Sequence, residues 1–134
     1  LYHVVERVCC MFRRYFMAGC ALLMAGASAG ASETALSGQE IYHLLRGNTA
    51  SGLWQGTPYK SYFDPGGDTL YVPKSGEPAI GKWRINPDTD LYESWWEHVG
   101  WTSYTVVRTG SGHAWVHEGQ NHAFTIEQGR QLSW

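Results

Sequence analysis

The sequence predicts a mainly β protein, an antiparallel meander that closes into a small calycin-like or lipocalin-like barrel of about seven to eight strands. After Gly47, apolar residues alternate with polar ones at a period of two, as in half-buried strands. The segments between these runs have hairpin length and are rich in Gly, Pro, Asn and Asp. One short helix precedes them, and the length of 134 residues favours a single domain.

The N-terminal segment has the composition of a secretory signal peptide. Paired arginines precede a short apolar run, and Ala27-Ser28-Ala29 fits a small-x-small cleavage site. We therefore expect residues 1–10 to be an extension outside the fold, residues 11–31 a cleaved signal peptide, and residues 32–134 one periplasmic or secreted barrel domain. The apolar run is too short to cross ~30 Å of hydrocarbon, so no transmembrane segment is expected in the mature protein.

Two alternatives for the same segment stay open. Met17-Ala18-Gly19-Cys20 resembles a lipobox, which would make Cys20 an acylated N-terminus, although the apolar stretch before it is very short. Arg13-Arg14-Tyr15-Phe16-Met17 resembles a twin-arginine signal, which would mean folding before export. Paired arginines are also common in ordinary signal peptides, which makes general secretion the simpler interpretation.

The composition of residues 32–134 excludes several classes of function. All three cysteines lie upstream, so the domain has no disulfide, no thiolate metal site and no cysteine nucleophile. It carries seven Lys/Arg against eleven Asp/Glu, a net charge of −4 without a basic run, so nucleic acid is not an expected partner. All seven tryptophans lie in this domain, where buried aromatic rings supply its core. No motif indicates a cofactor.

A short helix is predicted at the start of the domain. Ser37-Gly38-Gln39-Glu40 is a capping box, with the serine as N-cap and the glutamate at the third helical position. Ile41, Leu44 and Leu45 follow at helical spacing, and Gly47 suits the end of a helix. We expect about two turns whose apolar stripe packs against the sheet.

The alternating runs predict eight strands bounded by turn-forming residues such as Asp64-Pro65-Gly66-Gly67 and Asn86-Pro87-Asp88. Because no segment is left for a crossover helix, consecutive strands are expected to pair antiparallel, and closure removes the exposed edges. The predicted strands are Ser51–Gln55, Tyr59–Asp64, Thr69–Val72, Ile80–Ile85, Leu91–Trp96, Trp101–Arg108, His113–His117 and His122–Glu127.

Several short motifs between Leu36 and Arg108 resemble one family of small exported proteins. They are Leu36-Ser37-Gly38-Gln39-Glu40-Ile41, Gly47-Asn48-Thr49, Tyr62-Phe63-Asp64-Pro65-Gly66-Gly67 and Gly81-Lys82-Trp83-Arg84-Ile85. Together they resemble the proteobacterial proteins grouped as domain of unknown function 995. That family has no established activity, so the resemblance implies no chemistry.

The resemblance also implies one cross-strand pair. The family has a cysteine at each of the positions that are Tyr92 and Ser103 here, on successive strands. Loss of both cysteines together is expected if they form one disulfide. Tyr92 and Ser103 are then expected to be neighbours on adjacent antiparallel strands, with aromatic packing in place of the bridge.

Three histidines are the candidates for a metal site or for acid–base chemistry. His113 and His117 are ~13 Å apart along one strand, too far to share an ion. A two-residue turn at Gly119-Gln120 would place His117 directly opposite His122, with side chains ~5 Å apart. No third ligand is evident, because Glu118 is expected on the other face. A metal held by His117 and His122, and a solvated histidine pair at the barrel rim, both stay open.

The same register places Trp115 opposite Phe124 on an apolar face that includes Ile126, and we expect this face to line the barrel interior. The other residues expected in this core are Trp83, Ile85, Leu70 and Val72. A barrel of about eight strands is either filled by its side chains or holds a small ligand. The many aromatic residues favour a filled core, and a ligand cavity beside Trp115 is the alternative.

The stretch from Trp95 to Trp101 is a second candidate binding site. Neighbouring residues of a strand point to opposite faces, so one of Trp95 and Trp96 is expected near the surface. With His98 and Trp101 it would stack on a sugar ring or anchor a protein. Packing of these rings on the barrel exterior is the structural alternative.

These patterns favour a non-catalytic binding module for a small apolar or aromatic ligand, a sugar or an envelope partner. The first alternative is a histidine-centred, metal-dependent enzyme, and the second is a structural or inhibitory envelope protein. The binding residues proposed are Trp95, Trp96, His98, Trp101 and Trp115.

Overall fold

The computed structural model describes residues 33–134, so the predicted extension, the predicted signal peptide and Cys20 lie outside the described residues. The described residues form one helix, α1 (Gly38–Leu45), and nine strands. Within this part of the chain, no helix combines the length and hydropathy needed to cross a bilayer. The strands are β1 (Thr34–Ala35), β2 (Asn48–Trp54), β3 (Thr57–Phe63), β4 (Asp68–Pro73), β5 (Ala79–Asn86), β6 (Leu91–Trp96), β7 (Gly100–Thr109), β8 (Gly112–His117) and β9 (Gln120–Gln128).

Strands β2 to β9 form a closed eight-stranded antiparallel barrel. Each pairs with the next in chain order, and β9 pairs with β2 to close the ring. The short β1 lies beside the second half of β7, where Thr34 opposes Arg108 and Ala35 opposes Val107. The predicted fold class and all eight predicted strands are therefore confirmed.

The helix α1 closes one end of the barrel. The predicted capping box is present: Ser37 Oγ accepts a hydrogen bond from the Glu40 backbone N–H at 3.2 Å, and the Glu40 side chain accepts from the Ser37 backbone N–H. Ile41 and Leu45 are fully buried and belong to the barrel core. The chain leaves the helix through Gly47, whose φ of 71° suits glycine and whose N–H donates to the Phe63 carbonyl at 2.8 Å.

The half of the barrel next to α1 is filled by inward-facing aromatic rings. Trp115 and Phe124 stack with centroids 4.2 Å apart, and the Tyr92 ring lies 4.8 Å from Trp115. Phe63 packs edge-on against Trp83. The expectation that Trp115 and Phe124 face the interior is confirmed, since both are buried.

The predicted register of the last hairpin is wrong by two residues. The turn residues are Glu118 and Gly119, both with positive φ, and not Gly119 and Gln120. His117 therefore opposes Gln120, and His122 opposes Trp115. A two-residue offset keeps every side chain on its predicted face but changes every cross-strand partner. The direct pairing of His117 with His122 is lost.

Tyr92 and Ser103 lie on the adjacent antiparallel strands β6 and β7, as predicted, but one residue away from direct opposition. Tyr92 opposes Tyr104, and Glu93 opposes Ser103. A one-residue offset places side chains on opposite faces of the sheet. Tyr92 points into the core, whereas the Ser103 hydroxyl donates to the Glu93 carboxylate on the outer face.

Candidate ligand cavity in the barrel

The half of the barrel away from α1 is hollow. A cavity of about 490 Å³ opens there, at the end formed by the β2–β3 and β6–β7 turns. We call it the lumen cavity. Aromatic and hydroxyl-bearing side chains make up most of its wall, and the lining residues are Trp54, Gln55, Tyr59, Ser61, Tyr71, Ala79, Tyr92, Ser94, Trp96, Val99, Thr102, Tyr104 and Trp115.

Two tryptophans form opposite walls of the lumen cavity. Trp54 is the last residue of β2 and Trp96 the last of β6, and these strands lie four positions apart in the eight-stranded ring. The Trp96 indole lies over Gly81, where an added Cβ would clash with the Trp95 carbonyl oxygen and would lie 2.7 Å from the Trp96 ring. Glycine at position 81 therefore allows both the β6 backbone and the Trp96 ring to approach the inner wall closely.

The floor of the cavity is a hydrogen bond across the lumen. Trp115 Nε1 on β8 donates to Tyr59 Oη on β3 at 2.9 Å, and both side chains are buried. Tyr71 on β4 stacks beside Tyr59 with ring centroids 5.5 Å apart. Above this floor, Trp96 Nε1 donates to Ser94 Oγ at 3.2 Å. The two indole N–H groups are thus satisfied by hydroxyls of the cavity itself.

The phenols of the cavity are held in their neutral form. Burial raises the pKa of Tyr59 to about 12, although the hydrogen bond from Trp115 acts in the opposite direction. Burial also raises the pKa of Tyr71, Tyr92 and Tyr104. For Tyr92 and Tyr104 the polar Ser94 side chain opposes the rise in pKa. The cavity therefore disfavours negative charge.

Formal charge is missing from the cavity wall. Of the residues that the structure describes, those lining the cavity include no Asp, Glu, Lys or Arg. A buried ion needs a partner of opposite charge or several hydrogen bonds to offset its loss of hydration. The arrangement suits an uncharged guest.

The predicted histidine pair lies near the open end without forming a metal site in its predicted geometry. The His117 ring packs 4.9 Å from Tyr104, and the His122 ring packs 4.7 Å from Trp54. Both histidine side chains face inward, beside residues of the cavity wall. They do not lie directly opposite each other on β8 and β9. In residues 33–134, no group of three or more His, Cys, Asp or Glu is arranged to hold an ion.

The five predicted binding residues are divided between two faces of the barrel. Trp96 and Trp115 line the lumen cavity, whereas Trp95 and Trp101 oppose each other on the outer face. His98 lies in the β6–β7 turn with its side chain 89% exposed. The expectation that one of Trp95 and Trp96 lies toward the surface is met by Trp95.

Trp101, one of the two outer tryptophans, contacts a neighbouring cation. Arg84 Cζ lies 3.7 Å from the centre of the Trp101 ring, and Arg84 Nε donates to Glu93 Oε1 at 2.9 Å. One face of the Trp101 ring is thus covered by a guanidinium group. This occupied face weakens the case for sugar stacking at Trp101.

Sequence reasoning missed the tyrosines and Ser94. The predicted inward face of β4 is wrong by one residue: Leu70 and Val72 were expected in the core, but Tyr71, which lies between them, faces the lumen. What the alternation does not give is the hydroxyl chemistry of the face, because Tyr59 meets Trp115 only when strands far apart in sequence close the barrel.

A second, more open cavity of about 520 Å³ lies beside α1. It is lined by Leu36, Gln39, Glu40, His43, Leu44, Arg108 and His113. Burial and, to a lesser extent, the nearby Arg108 lower the pKa of His113, which stacks on Phe124. The Arg108 guanidinium lies 3.7 Å from the Glu40 carboxylate, and this contact links α1 to β7.

Comparison with known proteins gave no relative. A scan of protein-family models, a search of curated proteins and a search of solved structures each returned no match. The resemblance to the domain of unknown function 995 family stays a prediction.

Proposed function

We propose that residues 32–134 form an exported, non-catalytic binding protein that holds one small, uncharged aromatic molecule in the lumen cavity. The observation that carries this proposal is the cavity of about 490 Å³ with aromatic walls, hydroxyl groups and no formal charge. Binding sites for small molecules have volumes of roughly 300–1,000 Å³ and apolar walls with a few placed polar groups. The periplasmic or secreted location is part of the proposal and rests on the signal-like N-terminal segment.

The physical driving force is the burial of aromatic surface between Trp54 and Trp96. Flat rings that enter between two indoles exchange water contacts for stacking contacts, and each aromatic pair adds about 0.5–1.5 kcal/mol beyond area burial. A charged guest would lose its hydration and find no counter-ion on the wall. Charge and shape together therefore select neutral, planar molecules.

A pair of fluorescent probes tests the proposal. N-phenyl-naphthylamine is neutral, and anilinonaphthalene sulfonate has nearly the same rings with an added negative charge. We expect the neutral probe to bind with a rise in fluorescence, and the sulfonated probe to bind at least about tenfold more weakly. Equal binding of both probes, or no binding of the neutral probe, would contradict the proposal.

Two tryptophans on adjacent strands supply a matched pair of variants. Trp96→Ala removes one wall of the cavity, and the neutral probe should lose about 2 kcal/mol of affinity, the cost typical of aromatic anchors. Trp101→Ala removes an indole of the same size from the outer face and should leave the affinity unchanged. The opposite order would move the site to the outer face, where a sugar or a protein would be the expected partner.

A further inference from the structure

The lumen cavity contains hydroxyl protons that donate no hydrogen bond to another group of residues 33–134. At the floor, Tyr59 Oη accepts a hydrogen bond from Trp115 Nε1 at 2.9 Å. An indole N–H is a donor only, so this bond uses a lone pair of the phenol and leaves the phenol proton available. Tyr59 lines the cavity and is itself only 4% exposed, which leaves the cavity as the place where its proton finds an acceptor.

Ser94 repeats this arrangement higher on the wall. A serine hydroxyl has one proton and two acceptor lone pairs. Trp96 Nε1 occupies one lone pair at 3.2 Å. Ser94 lines the cavity, so its hydroxyl proton is a second donor that an acceptor on a guest molecule can bind.

These hydroxyl donors are present over the whole physiological pH range. Tyr59, Tyr71, Tyr92 and Tyr104 remain protonated because burial raises each pKa above its ordinary value of 10.0. A neutral phenol donates one hydrogen bond, whereas a phenolate donates none. The inner wall therefore presents fixed donors between aromatic rings and no formal charge.

We propose that the ligand is a neutral, planar aromatic molecule with a hydrogen-bond acceptor on its ring system, such as a ring carbonyl or a ring ether. The proposal rests on the proposed binding function and narrows its ligand class. The ring lies between Trp54 and Trp96, and the acceptor points to the phenol proton of Tyr59. A site built around buried donors discriminates against analogues that leave those donors unpaired.

Three fused bicyclic probes of similar size separate acceptor recognition from plain hydrophobic binding. Coumarin carries acceptors and no donor, indole carries a donor and no acceptor on its ring nitrogen, and naphthalene carries neither. Isothermal titration calorimetry on the wild-type protein should rank coumarin about five- to tenfold tighter than naphthalene and than indole, the ratio for one net hydrogen bond of about 1–1.4 kcal/mol. The test needs no variant, so a folding defect cannot obscure it.

Variants then identify the protein donor that binds the acceptor of the ligand. Tyr59→Phe alone would release the Trp115 indole N–H as a new donor at the cavity floor. In the double variant Tyr59→Phe/Trp115→Phe both of these donors are gone, so the affinities for coumarin and naphthalene should become equal to within about threefold. Tyr62→Phe removes a phenol from the outer face of the same strand and should keep the full coumarin preference. Far-ultraviolet circular dichroism and the melting temperature report whether each variant is folded.

The outcomes for the two proposals differ. If N-phenyl-naphthylamine binds but coumarin shows no advantage over naphthalene, the acceptor proposal is overturned and the binding function stands. If indole binds tightest, the cavity is an acceptor site and the proposal is also overturned. If neither the fluorescent probe nor any bicyclic probe binds, the proposed function itself has failed.

Discussion

Alkaline pH should weaken the fold through the phenol at the cavity floor. The pKa of Tyr59 is raised by burial from 10.0 in the unfolded chain to about 12 in the folded protein. A raised pKa means that the folded state binds the phenol proton more tightly than the unfolded state does. The contribution of Tyr59 to stability is therefore fully present below pH 10 and is lost as pH rises from about 10 to about 12.

The size of the effect follows from the shift. The rise from 10.0 to about 12 corresponds to roughly 3 kcal/mol of stability, since each pKa unit is worth about 1.4 kcal/mol. Burial raises the pKa of Tyr92 as well, so its contribution falls in the same direction. For a domain of marginal stability, a loss of this size is a large fraction of the total.

Urea unfolding at a series of pH values measures this contribution. The free energy of unfolding should fall above pH 10, and the absorbance of phenolate should appear for Tyr59 only with unfolding. Tyr59→Phe leaves the Trp115 indole N–H without its acceptor, so the absolute stability will drop. The informative quantity is the slope with pH, which should be shallower in Tyr59→Phe than in Tyr62→Phe, a control for the loss of one phenol. An identical slope in the two variants would refute the reasoning.

Three further changes test other parts of the structure. Gly81→Ala places a Cβ against the Trp95 carbonyl oxygen and 2.7 Å from the Trp96 ring, so we expect a loss of about 1–3 kcal/mol in stability and weaker binding of the neutral fluorescent probe; unchanged probe binding would show that the Trp96 ring does not pack over Gly81. Ile41→Ala removes a fully buried side chain from the helix that closes the barrel and should cost about 2–5 kcal/mol of unfolding free energy in urea. The lowered pKa of His113 should reduce stability as pH falls below 6.5, because the unfolded chain takes up the proton more readily; His113→Gln should flatten that acid limb of the melting-temperature profile, and a steeper limb would contradict the assignment.

The sequence was most informative where structure is determined locally. The capping box at Ser37 and Glu40 is satisfied by residues three apart, so the helix start could be read directly from the chain. The strands were predicted because alternation of apolar residues reflects a barrel with one wet and one dry face. Side-chain parity was predictable on β8 and β9, where Trp115 and Phe124 were assigned correctly to the interior. On β4 it was not, because Tyr71 faces the lumen in place of the more apolar Leu70.

Register was less predictable because it depends on which residues take the positive-φ positions of a turn. Glu118 adopts a φ of 50°, a conformation that is uncommon outside glycine, asparagine and aspartate. The two-residue turn therefore begins one residue earlier in the chain than predicted. The resulting offset of two residues separates His117 from His122. The histidine metal site depended entirely on that one turn.

The choice between a filled core and a cavity was beyond the sequence for a different reason. Both alternatives are realised in the same barrel: the half next to α1 is packed by rings such as Phe63 and Trp83, and the other half is hollow. The hollow depends on the room that Gly81 leaves for the Trp96 ring and on a hydrogen bond between Tyr59 and Trp115 across the lumen. These contacts join positions far apart in the chain, so no local pattern indicates them.

The most direct test of the binding proposal is a crystal structure of the protein grown with N-phenyl-naphthylamine. We expect electron density for the probe between Trp54 and Trp96, above the Tyr59–Trp115 hydrogen bond, with the barrel backbone unchanged. Probe density on the outer face at Trp95 and Trp101, or a cavity closed by collapse of the Trp96 ring onto Tyr71, would contradict the proposal.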